Sequence, residues 1–226
     1  MGKIPHTDLG GINYSVVRGR RKSISLKFNG SSNLIISIPR YSLVNIERLI
    51  DDHRSWIIKH SSEIASSKNF VRGEEVLYAG SYCRMEFREK VGRPRVTKLD
   101  NTLIVESEGR EAGIKAVSNF MKKQTEEMVE PILAEKLRAS GREAKSVKYR
   151  KMRKWGYCTS DRRIKFNAYL SMLPVPIIDY IVSHEVSHLI ELNHSKDFWK
   201  VVSGFCPSYK ELRKELKSYN VGGRII

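Results

Sequence analysis

Ile177-Ile178-Asp179-Tyr180-Ile181-Val182-Ser183-His184-Glu185-Val186-Ser187-His188-Leu189-Ile190 is the stretch on which the reading of this chain turns. It is apolar almost all round at helical spacing, which predicts a buried helix. Within it lies His184-Glu185-x-x-His188. Residues four apart on an α-helix project from one face, one turn apart. Two imidazoles so placed can bind one zinc ion, and Glu185 on the neighbouring edge can reach a water held there. Left unpaired in a buried helix, two histidines and a carboxylate would be costly. From the chain's own His and Glu frequencies, such a pattern arises by chance in roughly one sequence in a hundred.

A hydrolytic zinc site needs a third protein ligand and an open fourth position. His194 follows within Glu191-Leu192-Asn193-His194-Ser195. Asn193 suits a helix end and Ser195 the N-cap of the next helix. His194 is then expected on a tight turn that folds its side chain back toward the pair. The lone histidines His6, His53 and His60 carry no such pattern and are read as non-functional.

Outward from this helix the chain reads as α+β. Short runs rich in Val, Ile, Ser and Tyr at 12–17, 23–28 and 34–38 predict strands, with turn material at 18–20 and 29–33. A helix is expected from an N-cap at Ser42 to about Ser66, on Ile46, Leu49, Ile50, Ile57 and Ile58. Further strands are expected at 75–78, 83–88 and 103–106, with turns at Gly80 and at Gly92-Arg93-Pro94. Residues 112–137 predict a long helix that Gly141 ends and that Pro131 kinks or divides. Strand-like 146–152 and 162–170 follow, joined as a broad hairpin through Lys154-Trp155-Gly156-Tyr157-Cys158. From Pro174 onward the pattern is helical. No repeat is visible. The expected domains are a β-rich unit with one long helix over 1–108 and a zincin-like unit with a small antiparallel sheet over 109–226.

The chain has 226 residues, 40% of them apolar, enough for a true core. No apolar run approaches a membrane span, and residues 1–11 lack the apolar stretch of a secretory signal. Three cysteines, Cys83, Cys158 and Cys206, lie far apart, which favours a reducing, cytoplasmic setting. Cys158 reads as a buried thiol rather than a nucleophile or a fourth metal ligand. The formal charge is +16, from 41 Lys+Arg against 25 Asp+Glu. Lys145, Lys148, Arg150, Lys151, Arg153, Lys154, Arg162, Arg163 and Lys165 crowd the expected hairpin, with Asp161 the one acid. This density points to an anion-attracting rim, fitted to nucleic acid, a nucleotide's phosphates or acidic peptides.

Trp155-Gly156-x-Cys158, Ile164-Lys165-Phe166-Asn167, the His184–Leu189 helix and Asn193-His194-Ser195-Lys196-Asp197-Phe198-Trp199 together resemble the YgjP-like metallopeptidase domain. Arg20-Arg21-Lys22-Ser23-Ile24 and Tyr78-Ala79-Gly80 fit more loosely, so the resemblance covers nearly the whole chain. More distantly it is similar to SprT-like and WLM proteases, which act around DNA. The resemblance implies metal ligands at His184, His188 and His194 and a catalytic glutamate at Glu185. Tyr157 stands where members usually carry serine. Glu191 stands where metzincins need glycine, which argues against that clan.

The leading expectation is a zinc-dependent hydrolase of peptide bonds in the cytoplasm, with Glu185 as general base. Lys154, Trp155, Gly156, Arg150 and Arg153 are the candidate substrate-binding residues. Tyr157, Tyr169, Tyr180 and Tyr209 are candidate oxyanion donors that spacing does not separate. The partners expected are a peptide or protein substrate and, through the basic hairpin, a nucleic acid or nucleotide; no membrane. A metal-dependent nucleotide phosphohydrolase and a nucleic-acid-binding protein with a structural zinc are the alternatives. Glu185 counts against the second of these, because a purely structural site does not need it.

Overall fold

Among the described residues the same strand arrangement occurs three times, each time followed by helix. A computed structural model describes residues 2–3, 12–29, 33–66, 71–72 and 74–219. In each arrangement the third strand pairs parallel with the first and antiparallel with the second, so the spatial order is first, third, second. The first set is β2 (Asn13–Gly19), β3 (Ser25–Asn29) and β4 (Asn33–Pro39), with β1 (Gly2–Lys3) added beside β2. Helices α1 (Ile46–Asp52) and α2 (Arg54–Ser66) follow. The second set is β7 (Ser81–Glu89), β8 (Arg95–Leu99) and β9 (Thr102–Ser107), extended by β6 (Glu75–Tyr78) and β5 (Val71–Arg72), and followed by α3 (Arg110–Ser140). The third is β10 (Ser146–Arg150), β11 (Gly156–Cys158) and β12 (Arg163–Asn167). A one-turn 3-10 helix (Leu170–Met172) leads from it into α4 (Val175–Ser187), α5 (Lys196–Phe205) and α6 (Tyr209–Leu216).

The α+β class is as the sequence indicates, and two local expectations change. The segments 146–152 and 162–170 do not form a hairpin. Val147 lies opposite Ile164 and Tyr149 opposite Phe166 in a parallel pair, and the hairpin is formed by β11 and β12. The small sheet is therefore mixed, not antiparallel. Alternating apolar residues fix which face of a strand is buried; they do not fix the direction of its partner. The division of the chain also moves. Its two compact units are Met1–Lys68 and Asn69–Ile226, whereas the sequence suggested a boundary at 108/109. The cause is α3, whose buried stripe Gly113, Val117, Met121, Thr125, Val129 and Leu133 recurs every fourth residue and shares a core with Met85, Leu103 and Val105.

In the first unit β4 lies between β2 and β3 and buries Leu34, Ile36 and Ile38 with Ile50 and Ile57. The cap of α1 is Asn45, which accepts from the Arg48 N–H at 3.0 Å; Ser42 precedes the helix. Nδ1 of His53, the C-cap of α1, lies 2.9 Å from the Leu49 carbonyl, and Nδ1 of His60 2.9 Å from the Trp56 carbonyl of its own helix. The turn expected at 29–33 lies partly, and His6 wholly, outside the described residues.

The second unit is built to hold α4. Pro131 does not divide α3; it sits on an exposed face, where the carbonyl it leaves unpaired can be hydrated. Gly141 closes α3 in the left-handed conformation at φ 60°. Lys136, only 8% exposed, places its ammonium 3.0 Å from Asp179 of α4 and 3.1 Å from the Phe205 carbonyl. Burial pushes this lysine's pKa down, but the Asp179 hydrogen bond and charge outweigh it and hold the pKa above its ordinary value. At the start of α4, the turn between β6 and β7 docks on the 3-10 helix. Ala79 N–H donates to the Ser171 carbonyl at 2.7 Å and Gly80 N–H to the Met172 carbonyl at 3.1 Å.

Candidate metal centre

Helix α4 begins after Pro174 and buries Ile177, Ile178, Tyr180, Ile181, Val182 and Val186. Its register brings His184 to the last turn, and His188 caps the end at φ −68°, ψ −13°. The C-terminal end of a helix carries partial negative charge, which favours a cation there. The chain then reverses: Leu189 N–H bonds to the Val186 carbonyl and Glu191 N–H to that of Ser187, each at 2.9 Å. Ser195 caps α5, its hydroxyl accepting from Phe198 N–H at 3.2 Å. His194, one residue before this cap, is thereby carried back onto α4.

The result is a cluster. His184, His188 and His194 each offer a ring nitrogen, and these atoms lie within 4.8 Å of one another. The Nε2 atoms of His184 and His194 are 3.1 Å apart. Nδ1 of His188 donates to the Glu191 carbonyl at 3.2 Å, which leaves its Nε2 free to face the other two. Burial first, then the neighbouring His188 and His194, lowers the His184 pKa to about 3. Burial likewise lowers that of His188. The neutral imidazole that burial favours at His184 and His188 is the ligand form of histidine. Among the described residues no cysteine, carboxylate or further histidine joins this group.

Glu185 is 5% exposed and belongs to the same turn. Burial raises its carboxyl pKa to about 8, against the opposing effects of Lys154 and of a hydrogen bond from the Cys158 backbone. Its Oε2 has no hydrogen-bond partner among the described residues. Strand β11 leaves room for it: a Cβ on Gly156 would lie 2.8 Å from both Cγ and Oε1 of Glu185. No real Cβ sits that close, so the glycine of Trp155-Gly156 is the space the carboxylate occupies. Asn167, at the end of β12, holds the preceding loop by donating from Nδ2 to the carbonyls of Met152 at 2.7 Å and Lys154 at 3.0 Å.

A cavity of about 300 Å³ opens beside this turn, lined by Arg153, Lys154, Trp155, Gly156, Tyr180, Ile181, His184, Glu185 and Leu216. Four of the five candidate substrate residues are thus brought to Glu185. Arg150 is not among the lining residues; it lies exposed on β10, paired in register with Asn167. Of the four tyrosines, Tyr180 lines the cavity, its ring edge-on to His184 at 6.0 Å. Tyr157 accepts from Lys165 at 2.6 Å, Tyr169 bonds Ser118 at 2.6 Å, and Tyr209 stacks on Trp199 at 5.4 Å. Burial and the nearby Glu185 push the Cys158 thiol up to about 11, the opposite of an activated nucleophile. Reading the sequence missed Arg213 of α6, which lies 4.7 Å over the Trp199 ring, itself 5.9 Å from His194. No local pattern marks it, because α6 is amphipathic and its cations read as solvated.

No curated protein and no solved structure matches the chain. A family model described as the YgjP-like metallopeptidase domain matches residues 22–219. The match takes in most of both compact units and includes the three histidines, Glu185 and the Gly156 strand. A metallopeptidase family implies a metal cofactor and a peptide or protein substrate, and a converging histidine triplet beside a buried carboxylate is a donor set fit for such a metal. Sequence, fold and site geometry meet in one statement: this chain belongs to the YgjP-like metallopeptidase domain family.

Proposed function

We propose that the protein is a zinc-dependent peptide hydrolase in which His184, His188 and His194 hold the ion and Glu185 is the general base. The observation that carries this is the convergence of three imidazole nitrogens within 4.8 Å beside a buried carboxylate oxygen that has no partner. Tetrahedral zinc with Zn–N bonds of about 2.0–2.1 Å sets ligand nitrogens about 3.3 Å apart, and the His184–His194 separation is 3.1 Å. Bound zinc supplies a Lewis acid that polarises the scissile carbonyl and acidifies water.

The chain's own groups do the rest. Glu185, on the wall of the cavity, takes the proton of the attacking water as the new C–O bond forms. It returns that proton to the amine as the C–N bond breaks. A pKa raised by burial suits a group that must both accept and give up a proton near neutrality. The Tyr180 hydroxyl, kept protonated because burial raises its pKa, is the donor assigned to the developing oxyanion. Arg153 and Lys154 line the same cavity and favour an anionic group on the substrate. They also support a second reading, hydrolysis of a nucleotide's phosphoanhydride, in which the same base serves attack on phosphorus. The protein is assigned to the cytoplasm on its sparse, unpaired cysteines.

The test is metal content together with hydrolysis. Wild-type protein should bind about one zinc, and His188→Ala should lose it. Glu185→Gln should keep the zinc and lose cleavage of a quenched-fluorescent peptide library. Wild-type protein that binds no zinc overturns the site. Cleavage of nucleoside triphosphates with no cleavage of any peptide selects the second reading.

A further inference from the structure

The second unit contains two grooves in equivalent places. The candidate metal centre lies between the start of β11, the middle strand of its set, and the helix α4 that follows. The set β7–β8–β9 has the same topology, and between the start of β8 and its own following helix, α3, lies a cavity of about 670 Å³. No histidine, cysteine or carboxylate lines it. From the strand side it is walled by Arg93 and Arg95. From the helix side two rows run along α3 at four-residue spacing. Ala112, Ala116 and Phe120 form a floor, and Lys115, Asn119 and Lys123 form a rim.

We propose that this groove binds single-stranded nucleic acid. Four cations stand on two facing walls. Among the described residues Arg93 and Lys115 make no ion pair. Lys123 meets Glu127 at 3.5 Å in an exposed pair, and Glu106 lies within electrostatic reach of Arg95, but neither acid lines the groove. An exposed pair of that kind is worth little and is easily exchanged for phosphate. Lys115 and Lys123 are two helical turns apart, about 12 Å along the axis, so the rim can follow a backbone rather than hold one ion. The alanines make the floor shallow in side chain and deep in space. The half-buried Phe120, stacked on Tyr78 at 6.2 Å, offers an aromatic face at one end. Cations that track a backbone over an aromatic platform are the recurring means of holding single strands. Phosphates repeat at regular spacing along a strand, as the cations do along the rim; an acidic peptide carries its charges on separate flexible side chains and is the competing outcome of the test.

The experiment is a fluorescence-anisotropy titration of a labelled oligothymidine of about twenty nucleotides at several salt concentrations. Four phosphate contacts at roughly 0.7 each give a log–log salt slope of about −3. Arg93→Glu with Lys115→Glu should weaken binding at least about tenfold and bring the slope down by roughly 1.4. Phe120→Leu, which keeps the bulk and loses the ring, should weaken it about fivefold, at ~1 kcal/mol per stacked base. Reversal of two exposed cations of the other unit, Lys27→Glu with Arg48→Glu, should change it less than about threefold, as diffuse charge does. The proposal is overturned if the groove variant binds like wild type, or if the control weakens binding as much. It is also overturned if polyglutamate displaces the oligonucleotide at equal charge concentration, which would make the groove a site for acidic protein.

Discussion

The two strand–helix sets of the second unit share a topology and differ in where each places its glycine. In the set ending in α4 the glycine is on the strand: Gly156 lies opposite Phe166 and yields its side-chain space to Glu185 of the helix. In the set ending in α3 the glycine is on the helix. A Cβ on Gly113 would come within 2.7 Å of Ser107 Oγ, 2.9 Å of Phe87 Cε1 and 3.0 Å of Val105 Cγ1. Val96, opposite Val105, occupies the register that Gly156 holds in the other set. One set spends the close approach on packing a helix tightly against its sheet. The other keeps a void at the strand and fills it with a carboxylate. The first leaves a groove lined by cations and no carboxylate, the second a groove in which the buried Glu185 carboxyl joins Arg153 and Lys154. The two sets therefore share one strand–helix frame and differ in which element gives up its side chain for the close approach.

Removing the carboxylate is the strongest way to break that contrast. Glu185→Gln should lower the hydrolytic rate by about 10²–10⁴, the usual worth of a positioned general base. Arg93→Glu with Lys115→Glu, in the matching groove, should leave the rate on a short neutral peptide within about twofold, because neither residue reaches the reacting atoms. Equal losses in the two variants, read as kcat/KM on that peptide, would mean that the grooves are not functionally separate.

Metal-stripped protein exposes the cost of burying that carboxyl. The Glu185 pKa is raised from 4.5 to about 8. A raised carboxyl contributes its stability as the neutral acid, in full below the ordinary value, and loses it as pH climbs toward the folded value. After chelation, wild type should therefore lose stability between about pH 4.5 and 8, by on the order of a few kcal/mol. Glu185→Gln should lack this loss. The variant's melting temperature should match wild type near pH 4 and exceed it near pH 9, measured with the metal removed from both. A difference that does not vary with pH would mean that burial is not what raises the carboxyl.

The glycines give a subtler comparison. Gly113→Ala should destabilise by roughly 1–3 kcal/mol, as overpacking does, without touching the metal. Gly156→Ala should cost stability in the same range and in addition lower kcat, since Glu185 is the atom group that must move. Urea melts beside turnover numbers separate the two. Loss of stability with unchanged kcat in Gly156→Ala would show that Glu185 tolerates displacement.

Much of the site was legible in the sequence because a helix encodes it locally. The spacing of His184 and His188 is itself a geometry, and Ser195 as a cap placed His194 on the turn before it. Gly156 and Asn167 stand out in the sequence as motif residues, but their work is not readable there. One makes room for a residue on another element, and the other ties a loop to a strand; neither relation has a period. Strand β8 was missed because four of its five residues are exposed, so it shows no buried alternation. The recurrence of one topology was invisible for a related reason. The sets share strand directions, which depend on pairing across the sheet, and share no residue pattern. The domain boundary moved because the stripe on α3 says that the helix buries a face and not which sheet receives it.

The smallest effect tests whether the third histidine is placed by its helix or only by the metal. The Ser195 hydroxyl caps α5 one residue after His194, and caps of this kind are worth about 1 kcal/mol. His184 lies within the buried helix α4, and His188, which ends it, is oriented by its Nδ1 bond to the Glu191 carbonyl. Ser195→Ala should therefore lower stability by about 1 kcal/mol in urea. It should also let the turn 192–195 sample other conformations, so that zinc affinity, measured by chelator competition, falls a few-fold. Ser195→Asp keeps a capping acceptor and should restore both values. If Ser195→Ala loses the stability and keeps full zinc affinity, the metal positions His194 by itself and the α5 cap serves the helix alone. If both fall and aspartate recovers both, the turn is preorganised, and the ligand least constrained by burial is the one the local sequence holds in place.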